Sequence, residues 1–137
     1  MRIYLASRYS RKLEMREYAK QAEQCGIRVG TDWLQEPEHP DSNLSDLNVE
    51  TLAKYAQKDW WDIGACDVFV FFAENPLIGT PRGGRHTEFG IALSLGKKIV
   101  VIGEPENIFH YLPGIDIEFF HTWESALVYL TQLQIEE

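Results

Sequence analysis

Cysteine is scarce: Cys25 and Cys66 are the only two in 137 residues, and they lie far apart among apolar neighbours. A disulfide framework or a thiolate metal site needs closer or more numerous cysteines. The pair is therefore expected to be reduced and buried, as in a cytoplasmic protein. His39, His86, His110 and His121 show no ligand spacing either, so neither a metal nor a cofactor is expected. Basic residues are also few, 13 against 21 acids, for a net charge of −8. That excludes broad nucleic-acid binding, which needs a basic surface, but leaves room for a small anion at a local group of arginines. No apolar run approaches the ~20 residues of a membrane span, and the apolar part of "MRIYLASRYS" is too short for a signal peptide. GxGxxG and a phosphate loop ending in GK[ST] are both missing, which removes support for dinucleotide or triphosphate binding. Without repeats or linkers, residues 1–137 read as a single domain around one core.

What is present alternates between strand and helix. "RIYLA" (2–6) is a short apolar strand. The segment "SRKLEMREYAKQAEQCG" is helical, with Leu13, Tyr18, Ala22 and Cys25 as its inner face, Ser10 as its cap and Gly26 as its stop. "IRVGTDWL" reads as a second strand and "QEPEHPDSNLSD" as a mobile loop. Helical spacing returns from Asn48 to Ala65. "DVFVFFA" has the continuous apolar character of a central parallel strand. Gly84–Leu95 is a helix stopped at Gly96, "KIVVIG" a buried strand, "EPENIFHYLPG" a loop with one helical turn, "IEFF" a last strand and "WESALVYLTQL" a closing helix. This order predicts an α/β domain with a parallel sheet. Ligands in such sheets sit at the carboxyl ends of the strands. The rim then comprises Ala6–Tyr9, Ala73–Arg85 and Gly103–Asn107.

Four groups fall on or beside that rim. Glu88 opens the apolar helix "EFGIAL". It reads either as a reactive carboxylate or as an acid opposing the helix dipole in the first turn. Asp59 and Asp62 in "KDWWDIGACD" share a helix face one turn apart, with Trp60 and Trp61 expected to pack beneath them. Tyr4 stands in the first strand, followed by Ser7 and Arg8. Arg82, Arg85 and His86 flank Gly83 and Gly84, where glycine allows close backbone approach and arginine pairs with phosphate or carboxylate.

Taken together, these pieces resemble the nucleoside 2-deoxyribosyltransferase family and the related 2′-deoxynucleoside 5′-monophosphate N-glycosidases. The resemblance runs from "IYLA" to about Asn107. The family's strand tyrosine matches Tyr4, and its aspartate two helical turns before the central strand matches Asp59. Its "ELGxA" nucleophile segment matches "EFGIA", Glu88 to Ala92, and "GKKIVVIG" matches the following strand. Two departures stand out. Many transferases carry an aspartate six residues before the nucleophile, where this chain has Arg82. The asparagine that a neighbouring subunit supplies in transferases matches Asn107 only loosely.

The resemblance implies a Rossmann-like, flavodoxin-like fold with about five parallel strands and helices on both faces. It implies Glu88 as nucleophile, Tyr4 as its hydrogen-bond donor and Asp59 acting on the leaving base as proton donor or through a bridging contact, with Asp62 a weaker candidate for the same work. Substrate contacts would come from Ala6, Ser7, Arg8, Asp62, Arg82, Gly83, Gly84, His86 and Asn107. The implied activity is transfer of 2-deoxyribose from a deoxynucleoside to a free nucleobase, in a homo-oligomer with shared active sites. Hydrolysis of a 2′-deoxynucleoside 5′-monophosphate, with Arg8, Arg82 and Arg85 holding phosphate, is the alternative. A non-catalytic nucleotide-binding module is the third reading.

Overall fold

The computed structural model describes residues 1–36, 48–75 and 83–137. Its elements are β1 (Arg2–Ala6), α1 (Lys12–Gln24), β2 (Arg28–Val29), α2 (Val49–Ala65), β3 (Val68–Phe72), α3 (Gly84–Ser94), β4 (Lys98–Ile102), β5 (Ile117–Phe120) and α4 (Trp123–Glu136). The sheet order is β2-β1-β3-β4-β5, and every pairing is parallel. This is the flavodoxin-like order, whose switch point lies between β1 and β3. Chain direction reverses there from winding toward β2 to winding toward β5, which opens a crevice at the carboxyl ends of β1 and β3.

The apolar runs explain the sheet. All five residues of β3 are buried, because helices cover both of its faces. Phe69 and Phe71 meet Phe89 of α3 edge-on, at 6.5 and 5.7 Å between ring centres. Phe72 points the other way and stacks on Tyr18 of α1 at 5.6 Å. Tyr18 in turn stacks on Trp123 of α4 at 4.8 Å. So α3, with α2 against it, covers one face, while α1 and α4 cover the other. Truncating a buried phenylalanine of this kind to alanine costs about 3–5 kcal/mol. Among the described residues no helix is long and apolar enough to cross a membrane.

Three expectations need correction. The inner face of α1 holds the expected Tyr18 and Ala22 together with Lys12 and Met15, whereas Leu13 and Cys25 are exposed. A 3-10 turn at Tyr9–Arg11 precedes the helix and sets this phase. Ser10 therefore does not cap it: Arg11 takes the cap position without a side-chain bond. Lys12 buries its methylene stem, and its ammonium donates to the Tyr9 hydroxyl at 3.1 Å and to the Glu36 carbonyl. Gly26, at φ 83°, supplies the expected left-handed stop.

The second strand is shorter than expected. Only Arg28 and Val29 pair with β1. Beyond them side chains take over Leu5: its N–H donates to Thr31 Oγ1 at 3.0 Å, and its carbonyl accepts the Trp33 indole N–H at 2.9 Å. The chain then turns through a 3-10 segment, Asp32–Gln35. Finally, Trp60 and Trp61 do not pack beneath Asp59 but stand exposed.

Candidate active site

Tyr4 lies in the middle of β1, paired with Phe69 of β3. Its ring is fully buried and stacks on Phe69 at 5.6 Å. The sheet ladder thus fixes the ring, and the hydroxyl at its end donates to Glu88 Oε2. Burial first, then the charges of Glu88 and Asp59, raise the Tyr4 pKa well above its usual value, so it remains a donor across the working range.

Glu88 does not oppose the dipole of its helix from the first turn. Gly83, at φ 87°, makes the tight turn into α3, and the first turn holds no acid. Glu88 is the fifth residue, turned toward β1. Burial pushes its carboxyl up, and the Tyr4 hydrogen bond pulls it part of the way back, leaving it at about 7.

Asp59 comes from α2. Its Oδ1 is buried without a hydrogen-bond partner among the described residues. Burial, followed by the negative charges of Glu88, Glu36 and Asp62, raises its pKa to about 8. Neither Asp59 nor Glu88 is ion-paired among the described residues. Two carboxyls with separated pKa values can divide the work of nucleophile and acid. Both are raised, Glu88 to about 7 and Asp59 to about 8, a direction that favours the proton on Asp59.

Asp62, one turn further along α2, accepts the Asp32 N–H at 2.8 Å and lies 3.8 Å from the Arg2 guanidinium. It anchors the turn after β2. The residue that sequence reasoning missed on this side is Glu36. It is buried, its Oε1 has no partner among the described residues, and its charge raises both Asp59 and Glu88. In the sequence it is one acid in the polar run "QEPEHP", with no signal to separate it from its neighbours.

The rim is built as follows. Ala6 lies buried at the end of β1, in register with Phe71. Ser7 is also buried, and its hydroxyl donates to the Arg8 carbonyl at 2.9 Å. Arg8 leads into the Tyr9–Arg11 turn. Gly83 and Gly84 open α3. His86 Nδ1 lies 3.3 Å from Asn107 Nδ2, and Asn107 Oδ1 accepts the Phe109 N–H at 2.9 Å. Asn107 therefore meets His86 of its own chain and caps the turn at Ile108–Tyr111. Arg82 lies outside the described residues, as does most of the loop that follows Gln35.

Arg85 requires correction. Its side chain is almost fully buried, not offered to a phosphate. Its guanidinium lies over the Phe71 ring at 5.0 Å and forks onto Glu106, with one of the two contacts at 2.8 Å. An arginine already neutralised by a carboxylate has little left for an anionic ligand.

No family model matches this sequence, and no curated protein matches it. Solved structures do. The 2-deoxyribosyltransferase of Bacillus psychrosaccharolyticus is 18% identical, with 93% of this chain and 90% of that one covered and a TM-score of 0.68. A 2-deoxyribosyltransferase from Leishmania mexicana is 14% identical over 96% and 97%, with a TM-score of 0.62. The CMP N-glycosidase BcmB of Clostridium botulinum is 21% identical over 95% and 98%, with a TM-score of 0.56. Over nearly its whole length, this chain has the fold shared by two 2-deoxyribosyltransferases and a CMP N-glycosidase.

Proposed function

We propose that the chain is a nucleoside 2-deoxyribosyltransferase acting through a covalent deoxyribosyl ester on Glu88. The observation that carries this reading is the Glu88 carboxylate held by the Tyr4 hydroxyl, with a second carboxyl, Asp59, whose buried Oδ1 has no partner among the described residues. In the first half-reaction a Glu88 oxygen attacks C1′ of the bound deoxynucleoside. The C1′–N bond breaks, its electron pair goes to the base nitrogen, and Asp59 delivers a proton there. Carboxylate charge stabilises the oxocarbenium-like state on the way, and the covalent intermediate splits one hard step into two easier ones. In the second half-reaction a nitrogen of the incoming base attacks C1′ and gives its proton to Asp59. The C1′–O bond breaks and its electrons return to Glu88. Two inversions give net retention.

The fold neighbours named as 2-deoxyribosyltransferases support this reading. The missing 2′-hydroxyl of a deoxysugar suits it too, since an electron-withdrawing group beside C1′ makes the cation harder to form. A homo-oligomer belongs to the same proposal. Ile108, Phe109 and Tyr111, exposed beside Asn107, are the apolar surface that such an assembly would cover.

Hydrolysis is the second reading, with water replacing the incoming base. It is favoured by the neighbour named as a CMP N-glycosidase and by Arg82 standing where many transferases carry an aspartate. The test is to incubate the protein with 2′-deoxyinosine and free adenine and follow the bases by chromatography. Formation of deoxyadenosine is expected. Release of hypoxanthine alone, or cleavage confined to deoxynucleoside 5′-monophosphates, replaces transfer with hydrolysis.

A further inference from the structure

The start of α3 is short of local support. Gly83 offers no side-chain cap, and no acid stands in the first turn. Arg85 stands there instead, and its positive charge at that end works against the helix dipole. The missing anion comes from the connection between β4 and β5. Glu106 Oε1 accepts from Arg85 Nη2 at 2.8 Å, and Oε2 accepts from Nη1. Oε2 also accepts the Glu74 N–H at 3.1 Å, just beyond the end of β3. Glu106's own N–H donates to His110 Nδ1 at 3.0 Å. The His110 ring is fully buried and packs on Phe89 and Phe71 at 4.7 and 4.9 Å.

One carboxylate thus ties the exit of β3 to the entry of α3, from a backbone wedged against the core. A forked arginine–carboxylate pair fixes orientation as well as distance. Arg85 precedes Glu88 by three residues on the same rigid helix. Any drift of Arg85 is therefore passed on to the Glu88 carboxyl.

We infer that Glu106 is a positioning residue: acting through Arg85, it sets where the first turn of α3 lies and so holds Glu88 against the Tyr4 hydroxyl. This rests on the reading of Glu88 as the nucleophile. A displacement of ~1 Å at a reacting group costs up to about 100-fold in rate.

The test is Glu106→Gln, assayed for kcat, KM and pH dependence, with a thermal melt. Glu88 is faced by Tyr4 from β1, Asp59 from α2 and Glu36 from the segment after β2. Glu106 is faced by Arg85 and His86 from α3 and by His110. The Tyr4 hydrogen bond lowers the Glu88 pKa, so loosening it moves the acid limb of kcat/KM upward from about 7. A direct effect of the deleted negative charge would move that limb downward. A purely structural role would lower the melting temperature and leave kcat per folded molecule and the limb in place. We expect kcat to fall about 10- to 100-fold, KM to change little, and the limb to rise. A limb that stays or falls overturns the inference.

The double variant Arg85→Met/Glu106→Gln removes both buried charges, so it is expected to fold even if the single variant does not. It should be no slower than Glu106→Gln alone, since the two residues act as one unit. Parent-like activity in it overturns the positioning role. Glu88→Gln is run beside them. If it keeps turnover, the reading of the site falls and the positioning role with it. If it is dead while Glu106→Gln matches the parent, only the positioning role falls.

Discussion

The two flanks of the first turn of α3 treat charge in opposite ways. Toward β4, the buried charges are paired: Arg85 with Glu106, and Glu74 beyond it with Arg11 at 2.9 Å, although Arg85 Nε and His110 Nε2 have no partner of their own among the described residues. Burial works to raise the Glu106 pKa, but the Arg85 hydrogen bonds and the Glu74 N–H outweigh it, and the carboxyl stays below its usual range. Toward β1, Glu36 and Asp59 have buried oxygens with no partner among the described residues. Glu88 has a neutral tyrosine in place of a cation. Each of these three carboxyls is pushed upward, first by burial. Paired charge fixes geometry, and unpaired charge stores the capacity to move a proton. The difference separates the frame of the site from its reactive part.

The largest expected effect is on the unpaired side. Glu88→Gln keeps the shape and the Tyr4 hydrogen bond but removes the proposed nucleophile. Turnover should fall roughly 10⁴-fold or more, read by base release. Survival of turnover would erase the contrast between the flanks. Asp59→Asn comes next, with a loss of about 10²–10³-fold. It should also abolish the alkaline limb expected of the parent near pH 8, where Asp59 loses its proton.

The same variant carries a stability prediction. The Asp59 pKa is raised on folding from 3.8 to about 8, so the folded state binds that proton more tightly. Its contribution is complete below the unfolded value and is lost as pH rises through the folded one. Asp59→Asn should therefore melt higher than the parent above pH 8, by on the order of 1 kcal/mol once solvent screening is allowed for. A melt that is unchanged there would mean that the carboxyl is already solvated. The smallest effect is expected for Tyr4→Phe. The ring still packs and the fold holds, but kcat drops about 10-fold. The acid limb moves up from about 7, because the hydrogen bond that lowers the Glu88 pKa is gone. That shift is the one the Glu106 variant should reproduce in part.

Much of the frame was legible in the sequence. The apolar runs of β1, β3 and β4 are long enough to announce buried parallel strands. Asn48 and Thr122 cap α2 and α4 as their residue types allow, accepting N–H groups at 2.8 and 3.2 Å. Tyr4, Asp59 and Glu88 were found only as a set, through resemblance, because each alone has an ordinary surface explanation. The misreadings of burial share one cause. Charged residues were assigned to solvent or ligand, and large apolar ones to the core. Lys12 and Arg85 broke the first rule, since a long stem and a fixed counter-group let the charge go inside. Leu13, Trp60 and Trp61 broke the second. Glu106 could not be seen at all, because its importance lies in a partner 21 positions away.

The Tyr4–Glu88 hydrogen bond spans 84 positions of the chain, with Asp59 delivered by a different crossover in between. No fragment that ends before α3 holds both the phenol and the carboxylate. On the proposed mechanism a growing polypeptide is thus chemically silent until the third helix has docked on the sheet. In a refolding experiment, recovered turnover would keep time with that late, long-range closure and not with the earlier gain of helix.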